Sequence, residues 1–311
     1  MKKKAIIALG GNALIKKGQK GTIYEQFANT REISKSIVKI IKDGWNIVLT
    51  HGNGPQVGAI LLQNNKTRDI LPPMPLGVCV AESQGLLGYM IQQTLSNALK
   101  KNNIDKDVIT ILTQVIVDKN DPSFKNPTKP IGPYYGKEKL DELKEDGYNV
   151  KEVKDGYRIV VPSPDPKSIV EGDIIKRLLK DDVLVIASGG GGMPVIKRSG
   201  WGLDGVEAVV DKDLASERLA EEIDADILAI FTNVEKVYLD FFSDKKKPLG
   251  NVTLKDIKKY YKNNEFPSGS MGPKILAAIR FIESGGEKVI ISHIDKAYEA
   301  FKGKTGTHIT K

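Results

Sequence analysis

The 311-residue chain is 40% hydrophobic and 28% charged, which excludes a disordered or membranous polymer and allows one large core or two moderate ones. Its net charge of +8 invites nucleic acid, yet only seven of the 47 basic residues are arginine, the usual reader of base edges. Aromatics at 6% also offer few stacking platforms, so the charge suits a focused field for a small anion better.

The chain starts Met1-Lys2-Lys3-Lys4 like an export signal, but the apolar part is short and meets Gly10-Gly11-Asn12 at once. No run approaches the ~20 apolar residues of a membrane-spanning helix. Cys79, the single cysteine, cannot form an intrachain disulfide, sits in an apolar stretch as packing, and fits a reducing, cytoplasmic location. No nucleic-acid or membrane partner is expected.

Ala5–Leu9 has no polar relief and reads as a mid-sheet strand ending at that first glycine turn. Ile23–Lys42 has helical spacing closed by Gly44. The strand Trp45–Thr50 runs into His51-Gly52-Asn53-Gly54-Pro55, where Pro55 can start a helix. Ser83–Leu99 reads as a long helix and Val108–Val117 as one strand.

From Asp118 to about Pro166 prolines crowd in around Lys125, Lys129 and Tyr134-Tyr135. This reads as an inserted subdomain, because Tyr157–Val161 can form a hairpin strand. It is either a plain surface flap or a lysine-bearing flap over a ligand edge. Val183–Ala187 is then a buried strand leading to Ser188-Gly189-Gly190-Gly191-Gly192, whose bare amides can approach an anion. Asp211-Lys212-Asp213 follows at the mouth of the helix Leu214–Ile223, where Asp211 is either an N-cap or a partner for lysines. The strand Asp226–Thr232, the helix Leu254–Lys262, the helix Ile275–Ser284 behind Gly272-Pro273-Lys274, and the strand Val289–Ser292 complete the series. Strand and helix alternate, which predicts a mainly parallel sheet with its glycine turns on one ligand-binding edge.

Gly303-Lys304 fails as a phosphate-binding loop, since Tyr298 stands where a glycine is required, and no dinucleotide fingerprint follows the first strand. His51, His293 and His308 lack metal-ligand spacing, so no protein-held metal is expected. Glycine amides with Lys212 and Lys274 at loop–helix junctions suit phosphoryl transfer, which needs alignment and charge dispersal more than covalent help.

Ala8–Leu14, Thr50–Gly58, Asn126–Pro133, Val209–Asp213 and Gly269–Lys274, in that order, resemble the motifs of carbamate kinases, in the amino acid kinase superfamily. The resemblance spans essentially the whole chain. It implies a three-layer α/β/α sandwich with a mainly parallel sheet and a small protruding subdomain. Residues 1–225 would form an acceptor lobe with a flap at about 118–166, and 226–311 a nucleotide lobe. It implies ATP + carbamate ⇌ ADP + carbamoyl phosphate, with Mg²⁺ held mainly by the nucleotide phosphates, in a homodimer.

By analogy Gly10, Gly11, Asn12, Gly52 and Asn53, with Gly54, Ser188, Gly189 and Gly190 on the same edge, hold carbamate and the moving phosphoryl. Lys129 reaches in from the flap, Lys212 and Lys274 clamp the phosphates, and Asp211 orients both. Thr232, Val234, Tyr238 and Met271 frame the nucleotide, beside Gly272 and Pro273. Ala8 stands where superfamily members carry a lysine, a charge Lys129 would supply; Asn233 replaces a common aspartate. The alternatives are a kinase of another small carboxylate, a nucleotide sensor without catalysis and, on charge alone, a polynucleotide binder.

Overall fold

The computed structural model describes residues 2–16, 18–153, 156–241, 243, 245–267 and 269–311, except for the side chain of Asn12. Strand β1 (Lys4–Leu9) lies in the middle of an eight-stranded sheet, and Ala5–Leu9 are 0% exposed. Its side chains alternate between two apolar layers, Ile6 and Ala8 into one and Ala5, Ile7 and Leu9 into the other. That two-sided burial is why the segment carries no polar residue.

In chain order, α1 (Gly11–Leu14) and α2 (Ile23–Lys42) lead to β2 (Asn46–His51), α3 (Gly54–Lys66) and α4 (Leu76–Lys101). Then come β3 (Val108–Thr110), β4 (Gln114–Val117), β5 (Lys129–Tyr135), α5 (Leu140–Glu145), β6 (Val150–Val153), β7 (Gly156–Val161) and β8 (Pro166–Ile169). They are followed by α6 (Gly172–Lys180), β9 (Leu184–Ile186), β10 (Met193–Arg198), β11 (Gly202–Gly205), α7 (Lys212–Glu222) and β12 (Ile227–Thr232). The last part holds β13 (Val237–Leu239), β14 (Lys247–Leu249), β15 (Asn251–Thr253), α8 (Leu254–Lys262), α9 (Met271–Glu283), β16 (Lys288–His293), α10 (Ala297–Phe301) and β17 (Thr307–Thr310).

The large sheet has the order β15-β17-β16-β12-β1-β2-β9-β3, parallel except where β16 meets β17. It runs without a break across residue 225, since β12 pairs with β1. Residues of α2, α4 and α10 cover one face and those of α6, α7, α8 and α9 the other. The flap is a three-stranded sheet in the order β5-β7-β6, standing beside α3.

Three boundaries depart by more than two residues from the sequence expectation. Val108–Val117 is two strands in different sheets, because Gln84 of α4 takes the place of a ladder partner: its amide binds Thr113 N at 2.9 Å and Thr113 O at 3.1 Å. Helix α4 begins at Leu76, seven residues before Ser83, with Glu207 accepting from Leu76 N at 3.0 Å. Helix α9 begins at Met271, since Pro273 falls in the first turn, where its missing N–H costs nothing.

Candidate active site

β1, β2 and β9 are parallel neighbours, so the turns leaving them share one edge of the sheet. The chain segments approach too closely there for a Cβ at either glycine. A Cβ on Gly52 would lie 3.1 Å from Gly11 N, and one on Gly190, at φ +65, only 2.1 Å from Asn53 Nδ2. Asn53 is buried and donates to Ser83 Oγ of α4 at 2.8 Å. His51 is also buried; burial, backed by the nearby Lys212, pushes it down to about 4, so the ring is neutral.

The head of α7 brings charge to this edge. Asp211 is the N-cap and accepts from Asp213 N at 2.9 Å, so its helix-capping role is real. Its other oxygen, Oδ2, takes a hydrogen bond from Lys129 of the flap. Lys212 donates to Oδ1 of Asp213, and Lys274, from the first turn of α9, donates to Oδ2 of the same carboxylate at 2.8 Å. Asp213 therefore holds both lysines, a role the sequence reading assigned to Asp211. Lys212 is 9% and Asp213 2% exposed.

Burial works against the Asp213 charge, but the two ammoniums outweigh it and keep the carboxyl far below its usual range. Burial likewise opposes ionisation of Asp211, and Lys129 overrides it. Lys212 is drawn down by burial, with Asp213 opposing, whereas for Lys274 the pull of Asp213 exceeds the burial penalty and raises it. Three ammoniums thus face two carboxylates, with Lys212, Lys274 and Asp213 largely buried and Lys129 partly exposed.

A cavity of about 300 Å³ opens over these groups, lined among others by Gly10, Gly11, Gly52, Asn53, Gly54, Lys129, Gly190, Asp211, Lys212 and Lys274. Thr232, Asn233, Ser270 and Lys274 also line a second cavity of about 290 Å³, whose walls include Val234, Tyr238, Phe241, Pro267 and Met271. The Tyr238 and Phe241 rings stand 6.0 Å apart at 61°. The pair of cavities is a polar, cationic chamber continuous with an apolar slot.

Four sequence candidates line neither cavity. Ser188 and Gly189 lie buried beneath Gly190, where a Cβ on Gly189 would come 2.5 Å from His51 Nε2. Gly272 and Pro273 are taken up by the start of α9, with Gly272 N bonded to Pro267 O at 2.8 Å. The side chain of Asn12 lies outside the described residues. Sequence reasoning missed Asp213, Val209, Val210, Ser270 and Phe241. The available signal for Asp213 was the Asp-Lys-Asp triplet opening a helix. Among the described residues no group of three or more His, Cys, Asp or Glu is placed to hold a metal ion.

A model of the amino acid kinase family matches residues 3–293. A carbamate kinase of Pyrococcus horikoshii is 53% identical over 314 residues, covering 100% of this chain and 100% of its own. The solved carbamate kinase from Giardia lamblia bound to citric acid superimposes with a TM-score of 0.94 at 42% identity, covering 100% of this chain and 99% of that one. The Giardia lamblia carbamate kinase bound to AMP-PNP does so with a TM-score of 0.91, at the same identity and coverage.

Proposed function

The chain belongs to the amino acid kinase family, and on that premise we propose that it works as a carbamate kinase, interconverting ATP + carbamate and ADP + carbamoyl phosphate. The adenine base occupies the slot of Val234, Tyr238, Phe241 and Met271, and the phosphates extend past Thr232 toward Lys274 and Lys212. Carbamate sits against the amides of Gly10, Gly11, Gly52 and Gly54, under Lys129. A carbamate oxygen bonds to the γ-phosphorus as the bond to the β-bridging oxygen breaks, without a covalent intermediate on the protein.

The observation that carries this reading is the shared carboxylate of Asp213. It fixes Lys212 and Lys274 so that two ammoniums face one chamber, where each at about 4 Å from a phosphoryl oxygen contributes about 4 kcal/mol at an effective dielectric of ~20. The carboxylates of Asp211 and Asp213 are both engaged by lysines, so Mg²⁺ fits as a companion of the nucleotide phosphates rather than of a protein cage. It would supply charge neutralisation there.

The lobe division at residue 225, a cytoplasmic setting and a homodimer complete the proposal. No helix among the described residues is long and apolar enough to cross a membrane. For a second copy, the exposed Val78, Leu86 and Tyr89 of α4 and Ile109 of the edge strand β3 offer apolar surface.

The test is ATP formation from ADP and Mg²⁺ with carbamoyl phosphate or acetyl phosphate as donor. Preference for carbamoyl phosphate supports the reading. Preference for acetyl phosphate favours a kinase of another carboxylate, and nucleotide binding without turnover favours a sensor.

A further inference from the structure

Where the chain leaves the flap it reads Val161-Pro162-Ser163-Pro164-Asp165-Pro166, an alternation of X-Pro pairs. Each ring fixes its own φ near −65° and holds the residue before it extended, so the segment is a stiff rod. At about 3.3 Å per residue, Val161 to Asp165 can span at most about 13 Å.

Both ends of that rod are tied to the active site. At the start, Val161 is the register partner of Lys129, and Pro162 O accepts from Val209 N at 3.0 Å, just before Asp211. At the end, Arg280 of α9 donates from Nη1 to Asp165 Oδ1 at 2.6 Å, and Asp165 N donates to Asp121 Oδ2 at 3.0 Å, where the chain enters the flap. Arg280 lies on the helix that begins with the Lys274 turn. Glu217 of α7 is 1% exposed and its Oε2 has no hydrogen-bond partner among the described residues.

We propose that the Asp165–Arg280 pair and its proline rod form a strut that sets the position of Lys129 relative to α9, making Asp165 and Arg280 positioning residues for phosphoryl transfer; this rests on the carbamate kinase reading. Side-chain exposures of 30% and 29% leave the pair only partly buried, so its net contribution to global stability is small. Its value lies in direction. Released from Arg280, the rod would pivot at Asp121, and Lys129 would move with Val161 by a fraction of an ångström to a full one. A displacement of about 1 Å costs up to about a hundredfold in rate, while the nucleotide slot, built from other segments, stays intact.

The experiment measures kcat, KM for ADP and melting temperature in the ATP-forming direction for the parent, Asp165→Asn and Pro164→Gly, the second leaving every charge in place. The strut requires kcat to fall about tenfold or more in each variant, with KM for ADP within about twofold of the parent and melting lowered by a few degrees at most. Unchanged kcat in Asp165→Asn overturns it. So does a parallel loss of kcat, ADP affinity and melting temperature, which marks a merely structural contact. Should Pro164→Gly not fold, Asp165→Asn decides alone. An inactive parent chain sinks the functional reading itself, whereas an active parent with indifferent variants sinks only the strut.

Discussion

Lys129 and Asp211, 82 residues apart in the chain, are hydrogen-bonded across the gap between the flap and the head of α7. The flap thereby contributes a third ammonium to a chamber whose other two come from α7 and α9.

Lys129→Ala is expected to lower kcat by about three orders of magnitude, since one ammonium contributes about 4 kcal/mol to charge dispersal in such a site. The side chain is partly exposed and the flap is held by apolar packing against α3 and α4, so melting should change little. Steady-state kinetics beside a melting curve checks this, and a near-normal kcat refutes it.

Asp213→Asn leaves Lys212 and Lys274 buried without their shared counter-charge, a loss of about 3–5 kcal/mol. ADP phosphates would restore much of it. Saturating ADP should therefore raise the melting temperature further in Asp213→Asn than in the parent. An equal or smaller shift contradicts the claim that ADP phosphates and Asp213 both neutralise the same two lysines.

Glu217 gives a pH dependence of defined sign. Burial, against the pull of Arg218 and Arg280, raises its carboxyl from 4.5 to about 7. Between those values the folded chain keeps a proton that the unfolded chain has released, so stability falls as pH rises through the window and is flat above it. Glu217→Gln cannot ionise. Its melting temperature relative to the parent should therefore rise from about pH 5 to about pH 8, by the equivalent of about 2–3 kcal/mol. A constant difference at the two pH values would remove the buried-acid explanation.

Gly58 of α3 has no room for a methyl group, because a Cβ there would lie 2.0 Å from Gly132 Cα in the flap. Backbone faces backbone, so Gly58→Ala must push the flap away. Turnover should drop by about a hundredfold, as for an ångström-scale misplacement of Lys129, while nucleotide affinity holds. Equal losses of kcat and nucleotide affinity would show that the damage is not confined to the flap.

The parallel sheet and its glycine edge were legible because β1, buried on both faces, reads as an unbroken apolar run, Gly10 and Gly52 stand where backbones touch, and Gly190 stands against the Asn53 side chain. The helix bounds Ile23–Lys42 and Leu254–Lys262 were legible from spacing and capping alone. What escaped depends on contacts distant in sequence. Gln84 interrupts the ladder after β3 from a helix about 30 residues upstream, and Asp213 serves Lys274 across 61 residues. A local pattern cannot report which of two neighbouring carboxylates faces a lysine on another helix.

The most direct measurement is a crystal structure of the chain with ADP, Mg²⁺, carbamate and a planar mimic of the transferring phosphoryl group. The account requires Nζ of Lys129, Lys212 and Lys274 to lie within about 2.7–3.2 Å of oxygens or fluorines on the mimic or the adjoining phosphate. A mimic bound with Lys212 and Lys274 still occupied by Asp213 alone, and Lys129 turned away, would contradict it.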